Sequence, residues 1–178
     1  MKLATLVEDV FRKHHYATAD DVRNTFGDYH NVLHWLTRFL TADSSAADAN
    51  IVDAGGLTQT PSPDFHEWLV RWAARATVRN VLQNQRERIA ELAPEYEKKT
   101  ALHANHPPIS VEQFRTLIAN SERIQTQLDV LCRFVLIIHG IAKEPRDEVA
   151  AELGISGNAV ESAYCAAFDL LRAAGTGC

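Results

Sequence analysis

Three arginines, Arg71, Arg75 and Arg79, recur at four-residue steps. On an α-helix this spacing puts them in one row, where they can meet successive phosphates of a nucleic-acid strand. A solvated or carboxylate-paired row is the commoner use of such a pattern. Trp68 and Trp72 are also four apart, and their rings could stack on unpaired bases, each stack being worth about 1–3 kcal/mol. Their neighbours Phe65, Leu69 and Ala76 favour core packing instead. His30 with His34, and His103 with His106, are spaced so that each pair could share a zinc ion, but neither has an evident third ligand. No metal is therefore expected. Cys132 and Cys165 fall on apolar helix faces, where a thiol acts as a small hydrophobe with a raised pKa. The chain has no glycine-rich phosphate cradle, no Gly-x-Ser-x-Gly and no distinctive carboxylate pair. These residues point to no catalytic group, no cofactor and no enzyme.

The elements that must carry these residues read as helices. Val32, Leu33, Leu36, Phe39 and Leu40 recur at three- and four-residue steps, and no stretch alternates as a half-buried strand would. The fold class expected is all-α, with two helical domains joined by a linker. Helices are expected over Leu3 to His14, Tyr29 to Thr41 and a short stretch through Asp53 capped from Asp43 or Ser44 and closed by Gly55-Gly56. A long helix follows the proline loop 58–64, from Phe65 to about Ala93, with Pro94 as its end or a kink. The polar stretch up to Pro107-Pro108 reads as a linker. The expected division is residues 1–93 as a helical bundle, 94–109 as linker and 110–178 as a second domain. In the latter, Ser110 and Gln113 form a capping-box pattern, and further helices fit Ile124 to His139, Arg146 to Leu153 and Gly157 to Ala173.

Composition agrees with a folded globular chain. Of 178 residues, 46 % are hydrophobic and 23 % charged, with a formal net charge of -5. A chain this long buries roughly 70 % of its unfolded surface, enough for a core without disulfide staples. The odd cysteine count suits a reducing compartment, the first twenty residues carry acids and histidines where an export signal needs an apolar centre, and the longest apolar run, Phe134 to Ile138, is far below the roughly 20 residues of a membrane span. A cytoplasmic location without membrane attachment is expected. Charge is uneven. Residues 71–88 hold five arginines against one acid, Glu87, whereas residues 110–178 hold nine acids against six bases. A polyanion site is therefore expected in the middle of the chain.

The most specific signal is Arg146 to Ala163, RDEVAAELGISGNAVESA. A helix-turn-helix needs a small residue where its helices cross, a residue tolerant of positive φ at the turn, and apolar residues beneath both helices. Ala150, Gly154 and Val160 stand in those places, with Val149, Leu153 and Ile155 completing the wedge. The plainer alternative is an αα-hairpin ending in a glycine cap. Recognition helices usually present Arg, Lys, Asn or Gln to the groove. Here the helix is poor in them: Asn158, Ser162 and Tyr164 are the candidate contacts, beside Glu161 and Asp169, and no base precedes Arg172.

With these motifs in place, the sequence resembles the two-domain bacterial RNA polymerase sigma factors of the extracytoplasmic-function type. The resemblance rests on Leu131, Arg133, Val135-Leu136-Ile137-Ile138, Glu148, Val149-Ala150, Leu153-Gly154-Ile155-Ser156 and Val160 in the second domain. In the first it rests on Phe65, Trp68-Leu69, Arg71, Ala73-Ala74 and Arg75. It implies a cytoplasmic transcription regulator whose partners are RNA polymerase core and promoter DNA, with Arg71, Arg75 and Arg79 on the near promoter element. Asn158, Ser162 and Tyr164 would touch the upstream element. The chain is also similar to the sigma-mimic domains that capture an anti-sigma protein without binding DNA. Through either likeness, Asp48, Ile51, Val52 and Asp53 are implied as a polymerase or regulator interface.

Overall fold

The computed structural model describes residues 18–43, 45–56, 69–99 and 106–175. The expected helix over Leu3 to His14, the proline loop, and Phe65, Trp68 and His103 lie outside them. Among the described residues the chain is helical throughout, with no strand, and no helix is long and apolar enough to cross a membrane. In chain order the helices are α1 (Ala19–Asp28), α2 (His30–Thr41), α3 (Ala47–Gly56), α4 (Leu69–Lys98), α5 (Val111–Ala119), α6 (Ser121–Gln127), α7 (Val130–Val135), a π-helical segment (Leu136–Ile141), α8 (Arg146–Leu153) and α9 (Gly157–Gly175).

Contacts divide the chain into two compact units, Met1–Arg38 with Asp43–Val81, and Phe39–Ala42 with Leu82–Cys178. The division falls inside α4. That helix does not stop at Pro94 but runs on to Lys98 with the proline inside it. Pro94 is exposed. Ile89, Ala93 and Tyr96, spaced by four and three, are buried and continue one apolar face past it, so packing of that face outweighs the donor that proline removes.

In the first unit, Thr18 opens α1 with a reciprocal cap. Its hydroxyl accepts from the Asp21 amide at 3.2 Å, and its own amide donates to the Asp21 carboxylate at 2.8 Å. A cap of this kind is worth about 1 kcal/mol. Val22 and Phe26 of α1, Leu33 of α2, Ile51 and Ala54 of α3, and Leu69 and Ala73 of α4 form the core. Trp72 packs against that core and sets its ring edge-on to Phe26, centroids 6.3 Å apart, which is the packing role its apolar neighbours favoured. Asn80 ties α4 to α3 by donating to the Asn50 carbonyl at 3.0 Å.

In the second unit α5 opens with the expected capping box, Ser110 and Gln113 bonding reciprocally at 2.9 and 3.2 Å. The single helix expected over Ile124 to His139 is instead broken at Leu128. Asp129 takes an extended backbone and its carboxylate accepts from the Cys132 amide at 2.8 Å, starting α7 anew. Gly140 lies within the π-helical segment, where a Cβ would meet Ile109 Cδ1 and Tyr164 Cε2 at 2.9 Å. Its lack of a side chain admits α9. That helix packs on α5, α6, α7, α8 and the π-helical segment through Ala159, Val160, Ala163, Tyr164, Ala167, Phe168 and Leu171, all buried.

Candidate nucleic-acid interface

The turn before α9 is built as its residue types require. Gly154 has φ 71° and ψ 35°, a left-handed conformation that costs side-chain-bearing residues about 1–2 kcal/mol. Both the Gly154 and Ile155 amides donate back to the Ala150 carbonyl, the latter at 3.0 Å, which closes α8 as glycine-ended helices commonly close. Two residues on, the Ser156 hydroxyl accepts from the Ala159 amide at 3.1 Å and caps α9. Val149, Leu153 and Val160 are buried beneath the pair.

Each of the three candidate contacts on α9 already holds a backbone carbonyl of the same unit. The Asn158 amide donates to the Glu97 carbonyl at 3.0 Å, the Ser162 hydroxyl to that of Lys99 at 3.0 Å, and the Tyr164 hydroxyl to that of Pro107 at 2.9 Å. Asn158 is exposed, but Ser162 is 5 % and Tyr164 1 % exposed. The latter two therefore stand inside the fold, not on an open face. Burial, reinforced by the charge of Glu161, pushes the Tyr164 phenol up to about 12. Toward solvent α9 shows Ala166, Asp169 and Arg172, with Glu161 and Cys165 half-buried. Asp169 and Arg172 approach each other at 3.7 Å.

The Glu97 carbonyl belongs to the last turn of α4 and that of Lys99 to the residue that follows it, and Tyr96 anchors that turn. Its hydroxyl donates to the Asp129 carboxylate at 2.6 Å and lies 3.0 Å from the Cys132 sulfur, while the Lys99 ammonium sits 4.0 Å over its ring. Burial and the Asp129 bond push the Tyr96 phenol upward. Cys132 is buried, and desolvation with the Asp129 charge raises its thiol to about 12, in line with a cysteine that packs as a hydrophobe. On the far side of the chain segment, the His106 ring lies 4.7 Å from Phe168 and 6.4 Å from Tyr164. Sequence patterning assigned no role to Tyr96 or Asp129. The Ile89, Ala93, Tyr96 spacing was the available signal for the first, and Asp three residues before Cys132 for the second.

Arg133 of α7 is 4 % exposed, and among the described residues its Nε finds no hydrogen-bond partner. Burial and the nearby Arg88 charge hold its guanidinium below the usual arginine range.

In the other unit Arg71, Arg75 and Arg79 are all exposed on α4, opposite buried Leu69, Ala73 and Thr77. Of the four implied interface residues on α3, Asp48, Val52 and Asp53 are exposed, Val52 at 72 %. Ile51 is a core residue, because the face it shares with Ala47 and Ala54 packs inward. Asp48 lies 3.5 Å from His30 Nε2 and 3.9 Å from His34 Nε2, so both histidines of that pair face one carboxylate. Compared with family models, with curated proteins and with solved structures, the chain matches none of them.

Proposed function

We propose that the protein is a sigma-factor-like transcription regulator that binds RNA polymerase core and promoter DNA. Its unit 146–175 would act as the helix-turn-helix, and its arginine row would follow a promoter strand. One observation carries the reading: two helices meet at a left-handed Gly154, over buried Val149, Leu153 and Val160, in the order a helix-turn-helix demands. The exposed row at 71, 75 and 79 adds a surface of the right sign for a polyanion.

A second reading is favoured by the composition of α9. With no Lys or Arg before Arg172, and with Asp169 exposed and Glu161 half-buried on it, the helix offers phosphate little. A sigma-shaped module that captures an anti-sigma protein would need no such bases.

The experiment is retention on core polymerase followed by binding of labelled duplex across a salt series. The sigma-like reading expects retention, and affinity falling steeply with salt, with Arg75→Ala lowering the slope by about one unit. No retention and no salt-dependent binding, with capture of a small regulator instead, would hand the case to the mimic.

A further inference from the structure

We propose that His30, His34 and Asp48 form a surface site for a divalent transition-metal ion of the zinc type. The inference stands apart from the DNA-binding reading and completes a pairing that sequence spacing left without a third ligand. His30 and His34 lie one turn apart at the start of α2, with ring centroids 5.9 Å apart and a tilt of 38°. The fold brings the missing donor from another helix. Asp48, in the first turn of α3, sets one carboxylate oxygen 3.5 Å from His30 Nε2 and 3.9 Å from His34 Nε2.

Two neutral imidazole nitrogens and one carboxylate are the ligand set of open zinc centres, in which water fills the remaining position. Bound donors of this kind lie about 2.0–2.2 Å from the ion, and so about 3.3 Å from one another. The Asp48 separations are a few tenths of an ångström wider, and as the side chains stand the three donors do not close on a common ion. Closing them asks only for small rotations. The side chains of His30, His34 and Asp48 are 49 %, 33 % and 72 % exposed, so they can turn without disturbing Leu33 and Ile51 in the core beneath. Both separations also exceed a well-made N–H···O hydrogen bond, which leaves the carboxylate lone pairs available. Magnesium and calcium take oxygen ligands, and two imidazoles argue against them. An ion bound here ties α2 to α3. It also replaces the single negative charge of Asp48 with a net positive one, on a helix face that exposes Val52 one turn on.

The full chain is stripped with a chelator and titrated with zinc by calorimetry, and hydrogen exchange is followed with and without the ion. Zinc should slow exchange in peptides covering residues 30–41 and 47–56, which carry the ligands, and leave 146–175 unchanged. Asp48→Asn keeps the size of the side chain and removes its charge. It should weaken zinc binding about tenfold or more, since groups that merely support a metal ligand already cost about 10–100-fold. His34→Gln should abolish the protection of both peptides. Magnesium in large excess should not compete. All these side chains are at the surface, and exchange of the metal-free variants at the wild-type rate verifies that the fold is kept.

Zinc bound equally well by wild type and Asp48→Asn would overturn the three-residue site, because the histidine pair alone would then account for it. Calorimetric binding without protection of α2 and α3 would overturn it too, since the ion would sit on other histidines of the chain. So would the absence of any zinc binding, or its displacement by magnesium.

Discussion

Gly154 is the residue on which the geometry of the second unit turns, and replacing it gives a test with a magnitude. A Cβ at this position would find no heavy atom within 4 Å, so Gly154→Ala creates no collision. The whole cost is backbone. At φ 71° an alanine pays about 1–2 kcal/mol for the left-handed region, and it has no alternative, because the Gly154 and Ile155 amides are both fixed on the Ala150 carbonyl. Asparagine tolerates this region better, so Gly154→Asn should recover a substantial part of the loss. The assay is native-state hydrogen exchange of peptides covering residues 146–175, where the alanine variant should exchange roughly five- to thirtyfold faster and the asparagine variant should fall between it and the wild type. Among the described residues the tryptophans are Trp35 and Trp72, both in the other unit, and their emission supplies a control that should not move. Exchange at the wild-type rate in Gly154→Ala would mean that the backbone there is not left-handed. The crossing of α8 and α9 would fall with it.

Arg133→Met should be neutral or should raise the melting temperature, because it removes a buried, charged side chain whose Nε has no hydrogen-bond partner among the described residues. Relief of about 1 kcal/mol would appear as a rise of about 2–4 °C in a chain this size, and a melting temperature lowered by more than a few degrees would show that the guanidinium is an asset. Stability should also decline above pH 9. The Cys132 thiol is raised from 9.0 to about 12 in the folded chain, so between those values the unfolded state has lost a proton that the native state still holds, and unfolding gains with each step upward. Urea titrations across that window should show a shallower decline in Cys132→Ala, and parallel slopes in the two proteins would contradict the burial argument.

Much of this fold was legible wherever a local rule acted alone. The Ser110 and Gln113 box, the α8 and α9 boundaries and the Gly154 turn depend on neighbours a few residues away, and the sequence displays those neighbours. The misjudged places are those where a tertiary partner decided the matter. Pro94 reads as an end or a kink because its ring removes a donor, yet Ile89, Ala93 and Tyr96 bury a continuous face across it. α1 was overlooked because Val22 and Phe26 are only two apolar positions, although Thr18 and Asp21 had announced its start. Asp129 looks like one more acid inside an apolar helix until its carboxylate is seen capping α7. Among the site residues, exposure of the arginine row followed from periodicity. The burial of Ser162 and Tyr164 did not, since no local pattern says that Lys99 and Pro107 come to meet them. A polar side chain on an amphipathic helix can face water or cap another segment, and spacing is the same in both cases.

That ambiguity bears on how one helix could serve either proposed partner. With Asn158, Ser162 and Tyr164 committed to carbonyls of their own chain, what α9 turns outward includes Glu161, Asp169 and Arg172, and the last two are paired with each other. A phosphate backbone approaching that face meets an acid without compensation. Recognition of DNA through this helix would depend on hydrogen-bond donors rather than on charge, and its affinity should vary less with salt than that of the arginine row on the other unit. A protein partner that brings basic groups to the same face would meet Glu161 and Asp169 as attractive charges, so the feature that weakens the case for DNA favours a protein there.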